Sequence, residues 1–192
     1  MGGIPVRPRL LSSSGEEAIR RISALLKEAE DFRVIGGGNE VVAFATLTEA
    51  HVDKTIRQLF SDSGVLEAEV SRRLYLEVHD SIHRSWDARY KWLSQTFNVK
   101  IAGERFEQDF SLLVELRNSI IHGNGSLTSL QASKVPQMIS IRAGLRRALG
   151  LESHGRNFLL NGAIVVPAAK ICRDYIFGFD ALVQERFPKF DV

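Results

Sequence analysis

Apolar residues recur every three or four positions along most of this 192-residue chain, the spacing that gives a helix one core-facing stripe. Ile19, Ile22, Leu25, Leu26 and Ala29 predict a first helix over about 16–30. Ser14 is expected to cap it, with Glu16 and Glu17 near its positive end. Val42, Ala45, Leu47, Val52, Ile56 and Leu59 predict a long helix over about 39–62, broken by Ser63-Gly64. Leu66, Val70, Leu74, Val78 and Ile82 predict a helix over about 65–84, and Trp86, Tyr90, Leu93 and Phe97 a short one ending near Asn98.

Phe106, Phe110, Leu113, Leu116 and Ile120 continue the pattern over about 104–122, where Gly123 is placed to release the chain and Asn124-Gly125 to turn it. Pro136 suits the first turn of a helix running to about Leu149. Asn157–Leu160 and Ala163–Val166 flank Asn161-Gly162, the composition of a small β-hairpin. Pro167 then opens a last helix carrying Ile171, Tyr175, Phe179 and Leu182 to about Arg186. The expected fold is an all-α antiparallel bundle with an extra N-terminal helix and a small β-hairpin before the last helix. Residues 1–38 are a flexible leader plus accessory helix, and 39–192 the main helical domain.

Composition adds limits to this picture. Hydrophobic residues make up 44% and charged residues 25%, enough apolar material for a real core. The net charge of +2 is too small to imply nucleic-acid binding alone. Arginine outnumbers lysine, a bias compatible with gripping phosphate but equally with a solvated helix surface. The single cysteine, Cys172, excludes an intramolecular disulfide and a cysteine-rich zinc site. The first residues lack the apolar core of a signal peptide, and no apolar run reaches membrane-spanning length, so a cytoplasmic location is expected.

The candidate chemistry sits at the end of the helix expected over 104–122. Arg117, Asn118 and His122 share its last turn, with Asn118 and His122 four residues apart on one face. A fixed cation, an amide and an imidazole, whose ordinary pKa of about 6.5 lies near neutrality, form a combination able to handle phosphate. Arg117-Asn118-x-x-x-His122, behind an apolar helix and before a glycine-rich exit, resembles the signature of the HEPN superfamily, and within it the RiboL-PSP-HEPN type. The loose Arg-to-His spacing also occurs at Arg73–His79 and Arg147–His154; the neighbouring asparagine and the exit distinguish Arg117.

The resemblance implies a small all-α domain over roughly 40–186 and metal-independent RNA cleavage, with no cofactor. A ribose 2′-hydroxyl would attack the adjacent phosphorus, leaving a 2′,3′-cyclic phosphate and a 5′-hydroxyl. Arg117 would stabilise the phosphorane, His122 would move protons and Asn118 would position phosphate or imidazole. The resemblance further implies a homodimer that joins two motifs in one cleft, and a toxin, phage-defence or RNA-processing setting with a cognate antitoxin or defence-system partner. Asn124 stands where one toxin branch carries a modifiable tyrosine, so that regulation is not carried over. The competing reading is a HEPN-like module that binds RNA or protein without cutting.

Other features carry less. Gly36-Gly37-Gly38 lacks the Lys-Ser/Thr of a phosphate loop and reads as a connection. His79 and His83 have helical metal-ligand spacing but no evident third ligand, so polar surface or contact with the helix over 104–122 is the expectation and no metal is assigned. The aromatics at 86–97 suit a core or dimer interface better than base stacking. Arg142 and Arg146, one turn apart, form a basic edge that could contact an RNA backbone.

Overall fold

The computed structural model describes residues 11–31 and 36–190. The fold is all-α: among the described residues, seven helices accompany one two-stranded sheet. They are α1 (Ser13–Asp31), α2 (Gly38–Asp62), α3 (Glu69–Ile82), α4 (Trp86–Thr96), α5 (Arg105–Gly123), α6 (Val135–Leu149) and α7 (Val165–Arg186). Strands β1 (Ser153–His154) and β2 (Asn157–Phe158) lie between α6 and α7. No helix among the described residues is long and apolar enough to cross a membrane.

Helices α2, α5 and α7 pack mutually, α1 lies against α2 and α7, and α6 against α5. The buried stripe of α7, through Ala168, Ala169, Cys172, Tyr175, Ile176, Phe179 and Val183, supplies the centre. Tyr175 is fully buried, and its ring meets Phe110 at 4.3 Å, Phe106 at 5.6 Å and Trp86 at 5.8 Å between centroids. These contacts join α4, α5 and α7 through edge-to-face and tilted aromatic pairs. Phe60 forms a second hub with Tyr75, Phe97 and Trp92. The aromatics of the α4 region therefore serve the core. Two glycines permit close approaches to α5: a Cβ at Gly144 would strike Leu112, and one at Gly178 would strike the Phe106 ring. Cys172 is buried against this interior, which pushes its thiol up to about 12 and leaves it protonated at neutral pH.

Several boundaries depart from the sequence expectation. The first helix is capped by Ser12, whose Oγ accepts from the Gly15 amide at 3.0 Å; Ser14 lies inside the helix and is buried. The leader expected over 1–15 falls, for residues 1–10, outside the described residues. The helix expected over 65–84 is divided into a short 3-10 turn at Val65–Glu67 and α3, because Ala68 adopts an extended conformation.

The hairpin is displaced by several residues. Ser153 pairs with Phe158 and His154 with Asn157 around Gly155-Arg156, with Gly155 at φ +59°. Asn161 instead begins a helical segment: its backbone is extended and its side chain accepts from the Ala163 amide. The β-branched run Ile164-Val165-Val166 then enters α7, since Ile164, Val165, Ala168 and Ala169 bury at helical rather than alternating spacing.

Candidate functional site

Helix α5 buries Phe110, Leu113, Leu116 and Ser119, which fixes the rotation at which its polar residues emerge. Arg117 and Asn118 are half-buried, and Arg117 Nη1 donates to Asn118 Oδ1 at 3.1 Å. Both line a cleft of about 320 Å³ together with Glu49 on α2, Ser111 and Glu115 on α5, and Arg84 to Asp87 at the start of α4. No carboxylate lies in ion-pair range of Arg117 among the described residues. Its sequence neighbour Glu115 is held elsewhere: Gln131 donates from Nε2 to the Glu115 carboxylate and to its backbone carbonyl. Gln131 Oε1 in turn accepts from Ser119 Oγ and the Thr128 amide, both at 2.9 Å, so this buried amide fastens the turn after α5 to the site helix.

His122 is exposed, sits one turn beyond Asn118, and is not part of the cleft lining. Within one chain, Arg117 and Asn118 are thus brought together, while the imidazole stands outside their cleft. The helix also ends one residue later than Gly123 suggested. Asn124 takes the left-handed conformation at φ +49°, ψ +47°, and the amides of Asn124 and Gly125 both turn to the Ser119 carbonyl. Asparagine tolerates this region better than most residues with a Cβ. Asn124→Ala is expected to cost about 1 kcal/mol, read as a melting point lower by roughly 3 °C; Asn124→Gly should be close to neutral.

A charged array that the linear pattern did not reveal forms one side of the cleft. Arg89, with its side chain 3% exposed, reaches Glu49 at 2.8 Å and grips Asp53 through Nε and Nη2 at 2.6 and 2.9 Å. Its guanidinium lies 5.1 Å from the Trp86 ring centroid. His83 Nδ1 lies 2.8 Å from the same Asp53 carboxylate. Burial works to raise the Asp53 carboxyl, but the hydrogen bonds from Arg89 and His83 outweigh it and hold the group below its usual range. The usable signal was Glu49 and Asp53 one helical turn apart, with a lone arginine on an otherwise aromatic stripe.

A second buried array links the first turn of α1 to α2 and α7. His51 Nδ1 lies 2.9 Å from Ser14 Oγ, and His51 Nε2 lies 2.9 Å from Asp180 Oδ1. A neutral imidazole protonated on Nε2 satisfies both, donating to the carboxylate and accepting the serine hydroxyl. Asp180 Oδ2 also accepts the Ser12 amide and hydroxyl, both at 2.8 Å. The residue types are those of a serine nucleophile with its base, but the His51 side chain is 0% exposed and that of Asp180 2%. The arrangement is closed to substrate and acts as an internal polar tie. Gly15 is required beside it, because a Cβ there would run into the Asp180 carboxylate.

His79 and His83 approach at 4.7 Å between ring centroids, His79 beside Asp80 and His83 on Asp53. Among the described residues, no group of three or more His, Cys, Asp or Glu is placed to hold a metal ion. Arg142 and Arg146 line a different groove, which shares no residue with the Arg117 cleft. Arg142 Nε donates to Ser153 Oγ at 2.8 Å, and Arg146 meets Glu152 at 3.0 Å. Comparison with protein-family models, with curated proteins and with solved structures gives no match for this chain.

Proposed function

We propose that this chain is a metal-independent endoribonuclease of HEPN type, acting through Arg117, Asn118 and His122. The observation that carries the reading is the state of Arg117: a half-buried guanidinium on a cleft, steadied by Asn118 and lacking a carboxylate partner among the described residues. Such a cation is available for a phosphoryl group. In the reaction, the 2′-hydroxyl gives up its proton to an imidazole and O2′ bonds to phosphorus. The bond from phosphorus to O5′ then breaks, and O5′ takes a proton. Arg117 stabilises the extra negative charge on the phosphorane oxygens.

His122 stands exposed at the end of the same helix and outside the cleft, which favours a site shared by two chains. Twofold pairing would bring the imidazole of one copy toward the arginine of the other and supply both a base and an acid. A cytoplasmic toxin, defence or RNA-processing role belongs to the same proposal.

The test is incubation of the purified protein with structured and unstructured RNA in EDTA, beside Arg117→Ala and His122→Ala. Cleavage leaving 2′,3′-cyclic phosphate ends is expected from the native protein, and each variant should be slower by a factor of about 10² or more. Cleavage at equal rates in all three, or by none, rejects the assignment. Asp87, Glu49 and Glu115 also line the cleft and give its wall a negative component. That feature favours, as a second reading, a HEPN-like module that binds RNA or protein without cutting. RNA bound but intact would select it.

A further inference from the structure

Helix α6 has an unusual division of faces. Ile141, Leu145 and Leu149 are buried, and Gly144 lets the helix close on Leu112 of α5. The opposite side does not become uniformly polar. Val135, Ile139, Arg142 and Arg146 fall at i, i+4, i+7 and i+11, within one narrow stripe along the helix. Val135 is 62% exposed and Ile139 56%. The helix has no acidic residue and three arginines.

Ile139, Arg142 and Arg146 of this stripe line the second groove, of about 520 Å³, between α6 and β1, and Val135 continues the stripe beyond it. Arg142, Arg146 and Arg147 line it against a single carboxylate, Glu152. Arg147 also turns toward Asp109 on α5 at 3.3 Å. Arg142 has no carboxylate partner among the described residues, and its bond to Ser153 holds the guanidinium in place at the groove wall. Arg146 and Glu152 are both exposed, so that pair can open to a competing carboxylate at little cost.

We propose that this groove docks an amphipathic segment of a partner protein, with apolar anchors over Val135 and Ile139 and carboxylates meeting Arg142 and Arg146. Charge complementarity selects an acidic occupant, since Arg142 has no carboxylate partner among the described residues and Arg146 has only the exposed Glu152. The apolar part of the stripe selects protein over RNA. A phosphate backbone would engage the arginines and leave both aliphatic side chains in water, whereas an apolar anchor removes them from it. The segment is read in a helix-in-groove manner, and the assignment stands independently of the ribonuclease reading.

Fluorescence anisotropy tests it with the full chain and three labelled probes. The first is a 16-residue peptide (about four helical turns) with leucines at i, i+3, i+4 and i+7 and glutamates on its flanks. The second carries lysine at each glutamate, and the third is an oligouridine RNA. The acidic peptide should bind saturably and the lysine peptide should not. Ile139→Asp and Arg142→Ala should each weaken binding about tenfold or more, with unchanged circular-dichroism melting as the check on folding. Absence of saturable binding by the acidic peptide, equal binding of the lysine peptide, or indifference to both substitutions overturns the proposal. Oligouridine binding lost in Arg142→Ala, without acidic-peptide binding, makes the groove a nucleic-acid contact instead.

Discussion

Asp180→Ala is expected to destabilise the fold by about 3–5 kcal/mol, the largest effect of any single substitution considered. The carboxylate, 2% exposed, accepts the Ser12 amide, the Ser12 hydroxyl and the His51 ring. Alanine would leave those donors buried without partners, and each such group carries a desolvation cost of about 1–3 kcal/mol. At this chain length the loss corresponds to a melting point lower by roughly 10 °C. Urea unfolding of the native protein and the variant gives the direct comparison; a difference below about 1 kcal/mol would show that the tie contributes little. The double variant with His51→Ala should lose less than the sum of the two singles, since each already orphans the other's partner.

Arg89→Met is expected to rank second, at about 2–4 kcal/mol near neutral pH. Methionine fills part of the volume but leaves Glu49 and Asp53 without their cation. The pH dependence identifies the cause. Asp53 is held below its ordinary range in the folded chain, so its contribution is present above the unfolded carboxyl value of about 4. It is lost as pH falls through the lower folded value. The stability gap between native protein and variant should therefore be full at pH 7 and shrink toward pH 3. A gap of equal size at both would assign the loss to packing rather than to the carboxylates. Because Arg84 to Asp87 lead into the helix that Arg89 anchors, the variant should also loosen the cleft beside Arg117.

The contrast between what the sequence revealed and what it concealed follows from sequence separation. Helical stripes are local, and seven of them locate helices to within a few residues. Arg117 and Asn118 were legible for the same reason, since adjacent residues on a helix need no tertiary information to meet. Arg89 meets Asp53 across 36 residues, and His51 meets Asp180 across 129. Their only local trace is a polar side chain on an otherwise buried stripe, as at Asp180 between Phe179 and Val183. The misplaced hairpin has another cause. Ile164-Val165-Val166 has strand propensity, but burial at helical spacing and the Asn161 cap override it. Likewise, the outward position of His122 relative to the cleft depends on how α5 is rotated against α2, which spacing along one helix does not fix.

The contact between Gly15 and the Asp180 carboxylate ties the permitted residues at two positions 165 apart in sequence. In a saturation library, alanine or anything larger at 15 should be depleted while aspartate remains at 180. It should recover only where 180 becomes small and the donors of Ser12 and His51 are changed as well. Related sequences that retain aspartate at 180 should show glycine at 15, and those that abandon either should change the whole set. The pair therefore supplies a covariation signature by which distant relatives of this chain can be recognised even where the surface helices have diverged.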